Sequence, residues 1–181
     1  MNNLPNIASL LIAAFFATAA STAYSQEIKP PGKVLDAGGD NVAKFETSSS
    51  MIGFRNTLIF YTFKDQKAVL RLVIDNKNKD FPISATIYAF ADDVTEEGLK
   101  KWLNNQHSDG LFPDVPVPTA THPVPAGSCK ATSHKLSGTS EAPNGKFEDY
   151  TVTYEVRDVP AIEGILIKDF TAEAKVRVKK E

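Results

Sequence analysis

The fold of this chain is decided by three consecutive runs of β-forming residues: TLIFYTF (57–63), KAVLRLVID (67–75) and ISATIYAF (83–90). Val, Ile, Thr, Tyr and Phe dominate these runs, and such side chains favour pleated, partly buried strands. The short stretches between the runs, at 64–66 and 76–82, are largely polar and supply turn residues. The three runs therefore predict an antiparallel meander.

The predicted meander strands carry apolar side chains on both faces. In the first run, Leu58 and Phe60 alternate with Ile59 and Tyr61. A sheet that is apolar on both sides needs a cover on both sides. A second sheet would supply one cover, and any part of the other face left open would be a binding surface.

The last third of the chain predicts the second sheet. Residues 150–156 and 170–178 alternate apolar with polar side chains, which indicates half-buried antiparallel strands. Asn144 and Gly145, just before them, form a strong hairpin-turn signal. We therefore predict a mainly β fold, an antiparallel immunoglobulin-like β-sandwich, with a small β-barrel as the alternative. Only the architecture is proposed, because a chain with one cysteine lacks the disulfide of true immunoglobulin domains.

One amphipathic helix is predicted over residues 93–105 (DVTEEGLKKWLNN). Asp93 and Glu96 have the spacing of a capping box at its start. The apolar residues that share one helical face are Leu99, Trp102 and Leu103. This helix is the best internal candidate to cover the second face of the meander, and we predict that Trp102 anchors it there.

A long proline-rich stretch follows the helix, from 107 to 128. Its prolines are Pro113, Pro116, Pro118, Pro123 and Pro125. Prolines at this density favour the polyproline II conformation and exclude a central strand. Irregular segments of this length are often functional.

The first 25 residues predict a signal peptide. The apolar run at 10–20 is too short to span a membrane, and Ala23-Tyr24-Ser25 supplies small residues before a cleavage site. Residues 26–41 predict a tether or a short first strand, and 42–181 predict a single β-sandwich domain. We therefore expect an exported protein, periplasmic or extracellular, without stable membrane insertion after cleavage.

Composition and motifs argue against two classes of function. Twenty basic and 22 acidic residues give a net charge of −2, which provides no electrostatic basis for nucleic-acid binding. The sequence contains no Gly-rich phosphate loop, no CxxC pair and no G-x-S-x-G elbow. We therefore predict that the chain is not an enzyme, and no cofactor is expected.

Cys129 and His134 are the main candidates for metal binding. Their C-x4-H spacing resembles that of the copper-binding cupredoxins, and His122 or His107 would complete a Cys-His-His set. The resemblance implies a copper site. Gly138 stands where that family often has an axial Met, so the favoured interpretation of Cys129 is a lone thiol.

The favoured functional hypothesis is a non-catalytic binding or scaffold module that contacts a protein partner through the helix and the proline-rich stretch. The alternative is a carrier of a small ligand or of copper. The sequence leaves the oligomeric state open. The predicted contact residues come from the helix, the proline-rich stretch and the meander: Trp102, Leu103, Phe112, Pro116, Pro118, Tyr61 and Tyr88.

Overall fold

The computed structural model describes residues 33–48, 55–106 and 112–180. The predicted signal peptide, the first residues of the predicted tether and His107 lie outside the described residues. Within them the chain is mainly β, with one short helix and sheets that do not close into a barrel. The predicted β-sandwich is confirmed, and the barrel alternative is wrong.

The secondary-structure elements follow one another along the described chain. They are β1 (Lys33–Leu35), β2 (Val42–Ser48), β3 (Asn56–Phe63), β4 (Ala68–Asp75), β5 (Ile83–Ala89), α1 (Glu96–Asn105), β6 (Ala120–Pro123), β7 (Cys129–Ala142), β8 (Gly145–Val156), β9 (Ile165–Ile167) and β10 (Phe170–Lys179).

The first sheet has five antiparallel strands in the order β2-β3-β4-β5-β6. Its three middle strands are the predicted meander. Strand β6 lies at the edge and was not predicted, because it falls inside the stretch expected to be irregular. Pro123 ends this strand, and an edge is where a sheet accommodates a proline.

The second sheet has three antiparallel strands in the order β10-β8-β7, and a short parallel pair, β1-β9, lies beside the core. Leu35 of β1 is fully buried in the main core, so part of the predicted tether is a short strand of the sandwich. From β2 to β6 the chain stays in one sheet, and it enters the other at β7. Immunoglobulin-like connectivity is therefore not established by this strand order.

The main core fills the space between the two sheets. The first sheet contributes mainly Ile59, Tyr61, Leu70, Leu72 and Ile87. The second sheet contributes mainly Val152, Tyr154, Val156, Ala174 and Val176. The hydroxyl groups of Tyr61 and Tyr154 hydrogen-bond to each other, so these two buried polar tips satisfy one another.

The outer edge of β10 is occupied by side chains of β2. Lys44 Nζ donates to the Glu173 carbonyl oxygen (2.5 Å), and Glu46 Oε1 accepts the Lys175 N–H (2.6 Å). An unpaired strand edge is a template for association with another chain. Lys44 and Glu46 therefore occupy backbone groups of this edge that another strand would need for pairing, and they also join the two sheets.

Helix α1 begins at Glu96, later than the predicted start at Asp93. Thr95 is the N-cap, in an extended conformation, and its Oγ1 accepts the Gly98 N–H (3.1 Å). The predicted capping box of Asp93 and Glu96 is therefore wrong. The Thr95 hydroxyl, and not the Asp93 carboxylate, accepts the hydrogen bond from a free N–H group in the first turn. Glu96 instead pairs with Lys64 (3.3 Å). Nowhere in the described residues is a helix long and apolar enough to cross a membrane.

Candidate functional site

The candidate site lies on the face of the first sheet that is turned away from the second sheet, here called the outer face. The strand register places Phe45, Phe60, Arg71 and Thr86 side by side across β2, β3, β4 and β5. A second hydrophobic cluster, separate from the main core, forms on this face. The sheet is therefore apolar on both faces, as predicted.

Helix α1 covers part of the outer face. Leu99 and Trp102 are buried against a cluster that includes Phe60 and Phe90. The Trp102 ring lies 4.8 Å from the Tyr88 ring and 5.2 Å from the Phe90 ring, between centroids, and the residue is only 4% exposed. Trp102 thus anchors the helix, as predicted, and is an interior residue rather than an exposed contact.

Residues 112–119 are the part of the predicted proline-rich stretch that lies between the helix and β6 in the described chain, and they are here called the proline-rich segment. This segment runs back along α1. At one end, the Phe112 N–H donates to Asn105 Oδ1 (3.5 Å) at the last residue of the helix. At the other end, the Thr119 N–H donates to the Ala89 carbonyl oxygen (2.8 Å) at the last residue of β5. Helix and first sheet therefore hold the two ends of the segment.

The middle of the proline-rich segment packs on the helix. Val115 is partly buried against the Trp102 cluster. The ring of Pro116 lies beside Gly98: an alanine Cβ there would be 3.6 Å from Pro116 Cγ. Pro116 is therefore an internal packing residue as well as a predicted contact residue.

Two apolar side chains of the proline-rich segment remain largely in solvent. Phe112 is 44% exposed and Val117 is 80% exposed. Pro118, which follows Val117 in the sequence, is partly exposed, and so is Leu103 on the helix. The sequence analysis did not select Val117 as a contact residue. In an extended segment, however, Val115 and Val117 lie two residues apart with Pro116 between them, and the structure places Val115 inward and Val117 outward.

Arg71 is a second feature of the outer face that the sequence analysis missed. Its guanidinium carbon lies 5.2 Å from the centre of the Tyr88 ring, in a cation–π contact. Its Nε atom is buried and has no hydrogen-bond partner among the described residues. Leu58 and Val73, cross-strand neighbours on the same face, are partly buried next to this position.

Tyr61, a predicted contact residue, is not on the outer face. It is 3% exposed and points between the two sheets, because it alternates with Phe60 and Thr62 along β3. Burial raises the pKa of the Tyr61 and Tyr154 hydroxyl groups, so both stay protonated. Assigning Tyr61 to the binding surface is therefore wrong, whereas Tyr88 does lie on the outer face.

No metal site is predicted, and the three candidate ligands Cys129, His134 and His122 lie in different environments. Cys129 is in the main core, and burial raises the pKa of its thiol to about 11, so the thiolate that a metal requires is disfavoured. His134 is exposed, with its ring 5.2 Å from that of Phe81. The Nε2 atom of His122 lies 3.0 Å from Glu163 Oε2. Among the described residues, no three metal-binding side chains converge.

A shallow polar groove of about 520 Å³ lies on the second sheet. It is lined by Ser137, Gly138, Asp149, Thr151, Lys175, Val176 and Arg177. Arg177 and Asp149 form a double hydrogen bond across it, with Nε–Oδ1 2.7 Å and Nη2–Oδ2 3.3 Å. This charge pairing makes the groove a weaker candidate than the outer face.

Comparison with known proteins assigns no family to the chain: no protein-family model, no curated protein and no solved structure matches it.

Proposed function

We propose that this chain is an exported, non-catalytic binding module that contacts a protein partner through helix α1 and the proline-rich segment. The observation that carries the proposal is the exposure of Phe112 and Val117 on a segment whose ends and middle are fixed. Single exposed apolar residues are common, but two on one ordered segment offer a partner apolar surface to bury. Export is supported by the sequence of the first 25 residues.

The restraint of the segment matters for affinity. Prolines limit its backbone, and Val115 and Pro116 hold it against the helix. A segment that is already ordered loses little conformational entropy when it binds, so more of the contact energy appears as affinity. Proline-rich, extended segments are used in this way in peptide recognition.

The chemistry of the surface favours association over catalysis. Its exposed large apolar side chains are Phe112 and Val117, and Leu103, Pro116 and Pro118 are partly exposed. Such groups bury area at a protein interface and do not transfer protons or form covalent intermediates.

Photo-crosslinking in the producing organism tests the proposal. The photoreactive residue p-benzoylphenylalanine is placed at position 117, at position 112 or, as a control, at position 136. Leu136 is 49% exposed but lies on β7 of the second sheet. We expect one discrete protein adduct from positions 112 and 117 that is absent from position 136. Identical adducts from all three positions, or no adduct from 112 and 117, would contradict the proposal.

A further inference from the structure

We propose that Arg71, whose guanidinium contacts the Tyr88 ring that also packs against Trp102 of α1, is a charged anchor beside this surface and binds a carboxylate of an acidic residue flanked by apolar residues in the protein partner. The inference rests on the proposed function and names the chemistry of its partner. It starts from the position of the arginine, in the middle strand of the five-stranded sheet, between Phe60 and Thr86 in the register.

Arg71 has no ion-pair partner among the described residues. Its contact with the Tyr88 ring is a cation–π interaction and brings no opposite charge. A guanidinium group stays charged under all ordinary conditions. The positive charge of this half-buried side chain is therefore not neutralised by an ion pair within the described residues and is available to a partner.

An external carboxylate would supply the counter-charge that Arg71 lacks among the described residues. Because Nε is buried, the carboxylate would be bound by the terminal Nη1 and Nη2 groups. Arginine binds carboxylates through two parallel N–H···O bonds, and such charge-assisted bonds are the strong ones. The partly exposed side chains of Leu58 and Val73 lie on the same face. Apolar residues on either side of the partner's acidic residue would pack on them, which explains why the site selects an acidic residue in an apolar context.

The stability of Arg71→Met separates a binding role from a structural one. Methionine keeps an unbranched apolar stem and removes the charge. Because the charge has no ion-pair partner in the described chain, we expect the thermal midpoint of Arg71→Met to equal or exceed that of the wild type. A structural arginine would instead give a clearly lower midpoint, and that result would overturn the inference.

The binding arm uses nine-residue peptides with acetylated and amidated ends. Their central residue is Glu or Gln between leucine and valine, and a third peptide has the central Gln and a free C-terminal carboxylate. We expect the Glu peptide to bind the wild type at least about tenfold more tightly than the Gln peptide. Arg71→Met should abolish this preference, and Arg71→Lys should retain only part of it.

In the binding arm, three results would overturn the inference: equal affinity for the Glu and Gln peptides, including no measurable binding of either; a preference that persists in Arg71→Met; or tighter binding of the peptide with the free C-terminus. Crosslinking from position 117 separates this failure from that of the proposed function. An adduct formed equally well in Arg71→Met refutes only the role of Arg71. We expect the wild type to form the adduct, and its absence there would refute both the proposed function and the role of Arg71.

Discussion

At the scale of single residues, Trp102 holds the helix on the sheet. Its side chain is almost fully buried against Tyr88 and Phe90. Trp102→Ala should therefore lower the free energy of unfolding by ~3–5 kcal/mol in a denaturant titration. Leu103→Ala is the matched control, and it should cost less because Leu103 is only partly buried. A loss within ~0.5 kcal/mol for Trp102→Ala would place the ring on the surface instead.

Cys129 is predicted to be an inert core thiol. Because its pKa is raised to about 11, the thiolate fraction is small at pH 8 and increases only as the pH approaches that value. A thiol reagent should react with the native protein at pH 8 far more slowly than with the denatured protein. Added Cu²⁺ should produce no intense visible colour. A coloured protein that loses its colour in Cys129→Ser would make copper carriage the leading hypothesis.

The residue scale also shows where the sequence is informative. Two apolar faces and the role of Trp102 follow from periodicity, which is a local property. The position of Arg71 beside Tyr88 depends on the register between β4 and β5, and a sequence alone does not fix that register. Tyr61 was misassigned for a different reason: periodicity separates the two faces of a strand without saying which face meets the second sheet.

At the scale of elements, α1 contains an avoidable weakness. Gly98 lies in its first turn, and an alanine Cβ there would be 3.4 Å from Val94 Cγ1, 3.5 Å from Thr95 Oγ1 and 3.6 Å from Pro116 Cγ, all ordinary contacts. Gly98→Ala should therefore stabilise the protein by about 0.5 kcal/mol, the low end of the interior range, because alanine has the higher helix propensity. The measurement is chemical denaturation. Destabilisation would show that Pro116 packs more tightly on the helix than these distances indicate.

Among the strands that were missed, β6 and β7 have clear physical reasons. β7 has register shifts between Ala131 and Ser133 and between Leu136 and Gly138. Each bulge adds a residue and breaks the period of two, so the pattern that reveals β8 and β10 is absent in β7. β6 has only four residues and ends in a proline. Such bulges also make a long edge strand a poorer template for unwanted pairing.

At the scale of the whole molecule, the first sheet has a cover on one face and a partial cover on the other. The second sheet packs on one face, and α1 with the proline-rich segment packs on the other. This three-layer arrangement was predicted from the two-sided strands. The pairing of β1 with β9 was not, because it joins Leu35 to Ile167 across most of the chain and no local pattern indicates it.

The central claim is that the proline-rich segment beside α1 is a protein-binding surface, and one affinity measurement tests it most directly. The partner identified by crosslinking is titrated with the wild type, with the double variant Phe112→Ser/Val117→Ser and with the control Leu136→Ser. We predict that the double variant raises Kd at least about tenfold, because two apolar contacts are lost, whereas the control leaves Kd unchanged. An unchanged Kd for the folded double variant, or an equal increase for Leu136→Ser, would contradict the account.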